Sequence, residues 1–416
     1  MRQNFKRWLK GLMGSPSNNQ PNAEETQMSN QAENLSQVDA VQEKIAAQEK
    51  IDAAQEAEIR DFGLLGKIAP FRTAEEKLNY AKVVIGETKL PTNFSVTLGV
   101  APCNHSCIFC PQSVQKPEKA GWLDMDILRK ALSEMPEENL MLNISSYSET
   151  LSAPNLVPAI KLMKQVRPKL PIVMATNGSL FKEDKIRELM DEGLDHYSYS
   201  FDAPTRQAYE KMMQVDHFDR VWRNLERICE IREEKKSKMK ITSHILGFQE
   251  LKEDFKKFRE HWMKKIDGVA FRPVGNWGGD NWNLKQQWEK AGFTPIHQAP
   301  EKRYPCGSIF MHFKLQWTGQ YAPCVASVPD YVPEKENHRV PYLGHVRDIT
   351  FIEAWERLSA MRRAHLEGKW DKYEACKTCN IWSLFGDMWE EKVNERENSR
   401  QFVIEGVDHI DKNWSA

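Results

Sequence analysis

Three cysteines, Cys103, Cys107 and Cys110, stand in "VAPCNHSCIFCPQS" at the spacing C-x3-C-x2-C. Thiolates this close can converge on a metal. A structural zinc takes four protein ligands, and the nearest fourth candidate, His105, falls inside the x3 segment, poorly placed to close on the same metal. A [4Fe–4S] cluster held by three thiolates leaves one iron open. A small molecule can bind there, by the logic that gives catalytic metals an open position. A second set reads Cys306-x17-Cys324, then Cys376-x2-Cys379. Gly319 stands five residues before Cys324 in "LQWTGQYAPC", the shape of a hairpin turn leading a cysteine to a metal. Four thiolates complete either one fully ligated Fe–S cluster or a structural zinc. The eighth cysteine, Cys229, shares a helical stripe with Phe218, Val221, Leu225 and Ile228 and reads as a buried, inert thiol.

The chain that must position these groups has 416 residues, enough for two or three domains. Apolar residues make up 40% and charged residues 28%, with a net charge of −1. That balance gives no basic excess for a nucleic-acid partner. No run of about 18 apolar residues is present to span a membrane. The apolar residues near Met1 are interrupted by Lys6, Arg7 and Lys10, so no signal peptide is read and a cytoplasmic chain is expected. In that setting cysteines are metal ligands rather than disulfide partners.

Strand-like stretches at 93–100, 140–146, 171–176, 196–202, 240–246 and 268–274 alternate with helical patterns near 124–135, 154–167, 180–192, 204–235 and 250–264. Such alternation implies parallel strands joined by crossovers. Six units predict an α/β fold built on a partial (β/α)6 TIM-like barrel spanning 74–285, and the first three cysteines follow its first strand, where barrels present their active-site loops. "NWGGDNWNLKQQWEKAGF" reads as a loop or linker, 300–390 as a small cysteine-bearing domain, and 391–416 as a tail. Residues 1–65 read as an extension: polar and disordered over 14–39, then helical by propensity in "AVQEKIAAQEKIDAAQEAEI". In residues 1–13, Phe5, Trp8, Leu9, Leu12 and Met13 share a helical face, with Arg2, Lys6, Arg7 and Lys10 largely elsewhere. That pattern suits peripheral contact with an anionic membrane or a partner protein.

With Phe109 before its third cysteine, C-x3-C-x2-C after the first strand of a β/α barrel resembles the radical S-adenosylmethionine (SAM) superfamily. Three further stretches are similar to that family's pattern. "SSYSETL" resembles its "GYGEPL" motif after strand two, with Glu149 kept and serines at 146 and 148. "TNG", with Asn177, resembles the turn after strand three, and "SFDA", with Ser200 and Asp202, the strand-four motif. The chain departs from the pattern at Met212 and Met213, where relatives often carry an Arg. The resemblance implies that Cys103, Cys107 and Cys110 hold a [4Fe–4S] cluster whose open iron chelates SAM. Phe109, Glu149, Asn177, Ser200 and Asp202 would then surround SAM, and a 5′-deoxyadenosyl radical would take hydrogen from the substrate. The region 306–379, with "LGHVRDITFIEAW" and "ACKTCNIW", resembles the SPASM/Twitch extensions. That implies an auxiliary [4Fe–4S] cluster on Cys306, Cys324, Cys376 and Cys379.

A closed auxiliary cluster suits electron transfer. The expectation is therefore an oxidoreductase acting on a sugar- or cyclitol-type alcohol, served by a reducing partner such as flavodoxin or ferredoxin. The alternatives are a peptide-modifying maturase, which often carries a leader-binding domain that the polar N-terminal residues cannot form, and a non-catalytic Fe–S electron carrier. His244, Arg272 and Trp277 lie near strands five and six, where they could face the substrate.

Overall fold

The computed structural model describes residues 90–136, 140–278, 283–297, 299–324, 342–385, 389–394 and 399–404. The expectations for the N-terminal extension, its basic helix included, lie outside the described residues. Among those described, no helix is long and apolar enough to cross a membrane.

Six parallel strands run in spatial sequence: β1 (Asn93–Val100), β3 (Met141–Tyr147), β4 (Ile172–Thr176), β5 (His196–Asp202), β6 (Lys240–Leu246) and β7 (Gly268–Arg272). A short β2 (Gly121–Trp122) pairs antiparallel with β1. The crossovers carry helices α1 (Met125–Glu134), α2 (Leu156–Val166), α3 (Glu183–Asp191), α4 (Arg206–Met213), α5 (Phe218–Lys235) and α6 (Lys252–Trp262). The sheet does not close, so the core is the partial barrel that the alternation predicts. The helical pattern over 204–235 is broken: Gln214 adopts φ +59 and ends α4 before α5 begins. Cys229 is buried on α5, and burial pushes its thiol up to about 11, as an inert core cysteine requires.

Beyond β7 the sequence reading needs two revisions. The segment read as a loop contains helix α7 (Leu284–Lys290), which buries Leu284 and Trp288. The segment read as a tail contributes to an antiparallel ribbon, β11 (Trp389–Asn394) with β12 (Ser399–Ile404). Between them, helix α8 (Ser308–Met311) leads into β8 (His312–Leu315), β9 (Gln320–Ala322) and β10 (Gly344–His345). The hairpin expected at Gly319 joins β8 to β9, with Gly319 at φ +89. Helices α9 (Phe351–Arg357), α10 (Ser359–Leu366) and α11 (Glu374–Lys377) complete this part.

The second part is welded to the first through the sheet itself. β8 pairs parallel with β1, from Asn93↔His312 to Val96↔Leu315. On one face of that junction Phe94 packs against Phe313 at 4.7 Å and Phe351 at 5.1 Å, and all three are fully buried. Burying such side chains stabilises by about 1.5–3 kcal/mol each. Because side chains alternate across a strand, the other face presents Ser95, Thr97, His312 and Lys314, all buried. There Ser95 Oγ lies 2.8 Å from His312 Nε2, and Lys314 Nζ donates to the Tyr147 hydroxyl at 2.6 Å.

Burial and the neighbouring Lys314 push the His312 imidazole down from 6.5 to about 3. Below 6.5 the unfolded chain binds a proton that the folded chain refuses, so this group's contribution makes stability fall as pH drops through that window. One such group changes stability by at most about 1.4 kcal/mol per pH unit. His312→Gln, which can keep a bond to Ser95, is expected to flatten the unfolding free energy between about pH 5 and 6.5 by up to one proton, as read by urea denaturation at a series of pH values.

Candidate active site and auxiliary cysteine site

The first cysteine loop leaves β1 at Val100, and its backbone is pinned from two sides. Gln112 Oε1 accepts from Cys103 N–H at 2.8 Å, while Gln112 Nε2 donates to the carbonyls of Ala101 (3.1 Å) and Tyr147. Opposite, Ser106 N–H and Ile108 N–H donate to the carbonyls of Met213 (3.2 Å) and Met212 (2.9 Å) at the end of α4. The two methionines that replace an expected Arg are therefore core residues, buried and docking the loop through their backbone. His105 turns away from the thiols, and its Nε2 sits 3.1 Å from His217 Nδ1. It makes no fourth ligand.

The three thiols form one electrostatic group. Burial raises the pKa of each, with Cys110 pushed up to about 12, and the thiols of Cys107 and Cys110 are raised further by their cysteine neighbours and by Asp202. Glu149 acts on Cys103 in the same sense. Three crowded thiolates become stable once positive iron neutralises them, so the donor set fits a cluster.

Glu149 is buried at the end of β3 and its carboxyl is raised by burial. Its oxygens accept from Leu151 N–H (3.0 Å), Asn177 N–H (2.7 Å) and the Thr176 hydroxyl. It thus caps the short turn at 150–152 and also ties β3 to β4. Beside it, the buried hydroxyls of Ser146 and Ser148 have no partner, which leaves polar atoms for a ligand. Asn177 Nδ2 donates to Asn104 Oδ1 at 3.2 Å, joining the β4 turn to the cysteine loop. Gly178 follows at φ +70, and a Cβ there would meet the Tyr199 ring at 2.0 Å. Asp202 adopts φ +64 after an irregularity in the β5–β6 register, and His244 Nε2 lies 3.1 Å from its Oδ1. Thr205 caps α4, its side chain accepting from Ala208 N–H. Ser200 is half-buried on β5 opposite His244. Arg272 acts on His244, whose imidazole is held down chiefly by burial.

Cys306, Cys324, Cys376 and Cys379 line a single cavity of about 440 Å³, counted with its open mouth. Cys306 precedes α8, Cys324 follows β9, and the other two bracket the end of α11. Burial raises the thiols of Cys306, Cys376 and Cys379, and their cysteine neighbours raise them further. Among the described residues no three Cys, His, Asp or Glu side chains converge on a single-ion site. Four thiols framing one cavity supply the donor set of one fully ligated cluster.

The two cysteine sets share one strap, the exit of β7. Asn276 N–H donates to Asn380 Oδ1 (2.8 Å), Asn380 N–H donates to Asn276 Oδ1 (3.0 Å), and Asn276 Nδ2 donates to the Thr378 carbonyl (2.7 Å). The next residue, Trp277, donates from Nε1 to the Phe109 carbonyl at 2.9 Å, and it does so at φ +52. Trp277 thus holds the first cysteine loop, and Gly278 lines the cavity of the second set.

Two family models match this chain: the radical SAM superfamily over 101–261 and an iron–sulfur cluster-binding domain of the SPASM type over 306–380. Together they take in more than half of the chain and all eight of its cysteines. The chain belongs to the radical SAM superfamily and carries a SPASM iron–sulfur domain; its cofactors are [4Fe–4S] clusters and SAM. Among curated proteins it is similar to the S-adenosyl-L-methionine-dependent 2-deoxy-scyllo-inosamine dehydrogenase of Niallia circulans, 24% identical over 29% of this chain and 54% of that protein. It is also similar to a probable GTP 3′,8-cyclase of Saccharolobus islandicus, 30% identical over 29% of this chain and 38% of that protein. The chain therefore matches about half or less of these relatives' length. Similar solved structures include BtrN in complex with AdoMet and 2-DOIA, with TM-score 0.46 and 17% identity, covering 70% of this chain and 93% of that one. Another is SuiB of Streptococcus suis bound to S-adenosylmethionine, with TM-score 0.48 and 12% identity, covering 81% and 82%.

Gln112, Asn276 and Asn380 carry much of this geometry, and sequence reasoning passed over them. A lone amide has no spacing signature; only its distance of two residues from Cys110 marks Gln112. Gln112→Leu keeps most of the volume but removes the partner of the Cys103 N–H and of the Ala101 carbonyl, at about 1–3 kcal/mol for each one left buried without a partner. Iron bound at the first site is expected to fall severalfold while iron at the second persists, measured as iron per chain after anaerobic reconstitution, with circular dichroism to check the fold.

Proposed function

We propose that this radical SAM enzyme is an oxidoreductase that converts a secondary alcohol of a sugar- or cyclitol-like molecule to a carbonyl. The observation that carries the reading is the pairing of one three-cysteine set with one four-cysteine set on a common strap. Cys103, Cys107 and Cys110 are the residues we assign to the cluster with an open iron, and Cys306, Cys324, Cys376 and Cys379 to the closed one. When bound, the first cluster and SAM supply reductive cleavage of a C–S bond and removal of a hydrogen atom from the substrate, and the second supplies an acceptor for the remaining electron. Loss of a hydrogen atom from carbon, a proton from oxygen and one electron balances the oxidation of CH–OH to C=O.

The chain's own residues orient and hold. Glu149 and Asp202 act on the thiols, Asn177 bonds to Asn104 of the cysteine loop, Ser200 lies on β5 two residues before Asp202, and Phe109 lies within the loop; we assign these five to SAM. His244 is buried, with one ring nitrogen on Asp202 and Nδ1 without a partner. An imidazole so placed can take the hydroxyl proton. Thr97 and Ser198 on β1 and β5 are buried polar groups of the kind that suits a hydroxylated substrate. The name of the Niallia circulans relative, a dehydrogenase of an aminocyclitol, supports the same substrate class. An outside one-electron donor, a flavodoxin or ferredoxin, would supply the first electron.

Two experiments test this. Replacing Cys103, Cys107 and Cys110 with Ala is expected to remove about four irons per chain, as a [4Fe–4S] site requires, and to abolish reductive formation of 5′-deoxyadenosine; continued formation overturns the first assignment. Replacing Cys376 and Cys379 with Ala, once iron content and circular dichroism show an intact barrel, is expected to leave 5′-deoxyadenosine formation and to lower ketone product sharply. Carbon-deuterated cyclitols and sugars serve as substrates, with deuterium in 5′-deoxyadenosine as the readout. One cluster plus one zinc in the wild type removes the support for an oxidoreductase.

A further inference from the structure

We propose that His365 and Arg303 set the reduction potential of the auxiliary centre, the imidazole as an N–H donor into the four-cysteine cavity and the guanidinium as a positive charge on its wall. The inference rests on the reading that those four cysteines hold a cluster. His365 lies on α10, is fully buried, and lines the cavity. Its Nδ1 accepts the backbone N–H of Cys306 at 3.1 Å. A nitrogen that accepts carries no hydrogen, so the ring hydrogen sits on Nε2. That atom is buried and has no partner.

A buried N–H without an acceptor costs about 1–3 kcal/mol, and so it persists where something else accepts it. The sulfurs of a cluster framed by Cys306, Cys324, Cys376 and Cys379 are the acceptors that the cavity would bring to it. Arg303 lines the same cavity and interacts with the thiols of Cys306, Cys376 and Cys379. Its guanidinium lies 4.9 Å from the Trp370 ring and 5.6 Å from the Trp382 ring, its Nη1 donates to the Lys377 carbonyl at 3.2 Å, and its Nε is buried without a partner. Two indoles thus hold a cation on the wall of the four-cysteine cavity.

A cluster with four thiolates carries net negative charge in both redox states, and one more unit when reduced. Donors to its sulfurs and a nearby cation stabilise the more negative state, which raises the potential. The two side chains would therefore make the auxiliary centre a better electron acceptor than its four thiolates alone.

The test uses the full-length chain with Cys103, Cys107 and Cys110 changed to Ala, reconstituted anaerobically with iron and sulfide, so that only the second centre contributes a signal. Its potential is read by redox titration followed by electron paramagnetic resonance. His365→Asn can keep an acceptor for Cys306 N–H but withdraws the hydrogen from the cavity. It is expected to shift the reduced-to-oxidised ratio at fixed potential at least tenfold towards oxidised, which is about 59 mV for a one-electron couple. His365→Gln, which can return an N–H to the Nε2 position, is expected to restore most of that shift, and Arg303→Gln to lower the potential as well. An unchanged potential in His365→Asn overturns the role of His365, as does a His365→Gln value as low as that of His365→Asn. If His365→Asn does not load iron, Arg303→Gln carries the test, and an unchanged potential there overturns the proposal. A parent protein with no cluster signal overturns the cluster assignment itself, which separates the two failures.

Discussion

The strap at Asn276 and Trp277 is the constraint on which the relation of the two cysteine sites depends. One residue exchanges three hydrogen bonds with the C-x2-C loop, and its neighbour bonds to the C-x3-C-x2-C loop. Two adjacent Cα atoms are about 3.8 Å apart, so the sites cannot drift without breaking one set of bonds. Gly275, just before the strap, has no room for a side chain: a Cβ would meet Ile381 at 2.3 Å. At Gly275 the strap therefore lies against the side chain of Ile381, two residues after Cys379. Its left-handed conformation at Trp277, uncommon for a bulky residue, is the cost of aiming an indole N–H at the Phe109 carbonyl.

The sheet makes the same connection from the other side. β8 extends the barrel past β1, so that the second cysteine region grows from the strand that carries the first. The Phe94, Phe313 and Phe351 cluster makes that junction part of a single core. Two domains sharing only a flexible linker would move relative to one another by default. A shared sheet, a shared core and a strap oppose such freedom between the described parts, as the proposed electron transfer between two centres would need.

Much of this was legible in sequence because it follows local rules. The strands of the barrel show as short apolar runs alternating with helical patterns, and the cysteine sets as spacing; Glu149, Asn177 and Asp202 were marked by the resemblance of "SSYSETL", "TNG" and "SFDA" to a family's motifs. What was not legible is long-range. Asn276 and Asn380 meet across 104 residues, and nothing at either position marks the other. The same holds for Arg303 and His365, which reach the second cavity from a loop and from a helix. The ribbon β11–β12 escaped because its alternation is weak, and α7 because Trp, Gly and Asn around it signal a loop. Met212 and Met213 were measured against an absent Arg, whereas their contribution is made through main-chain carbonyls, which no side-chain pattern reports.

The two sites also differ in how they meet the problem of crowded negative charge. At the first, Asp202 and Glu149 are acidic groups that raise the thiols, with the exposed Lys116 opposing them at Cys103 and Cys110. At the second, Arg303 opposes the repulsion among the thiols, lowering Cys376 and Cys379 while burial raises them. Metal ligands must lose their protons on binding, so the charge around a site enters the energy of loading it and of reducing what it holds. An acidic surround resists added negative charge, and a centre there is a strong reductant once reduced. A cationic surround welcomes it, and a centre there is an acceptor. In the oxidoreductase we propose, Arg303 and His365 would favour an added electron at the second site, while Glu149 and Asp202 would oppose one at the first.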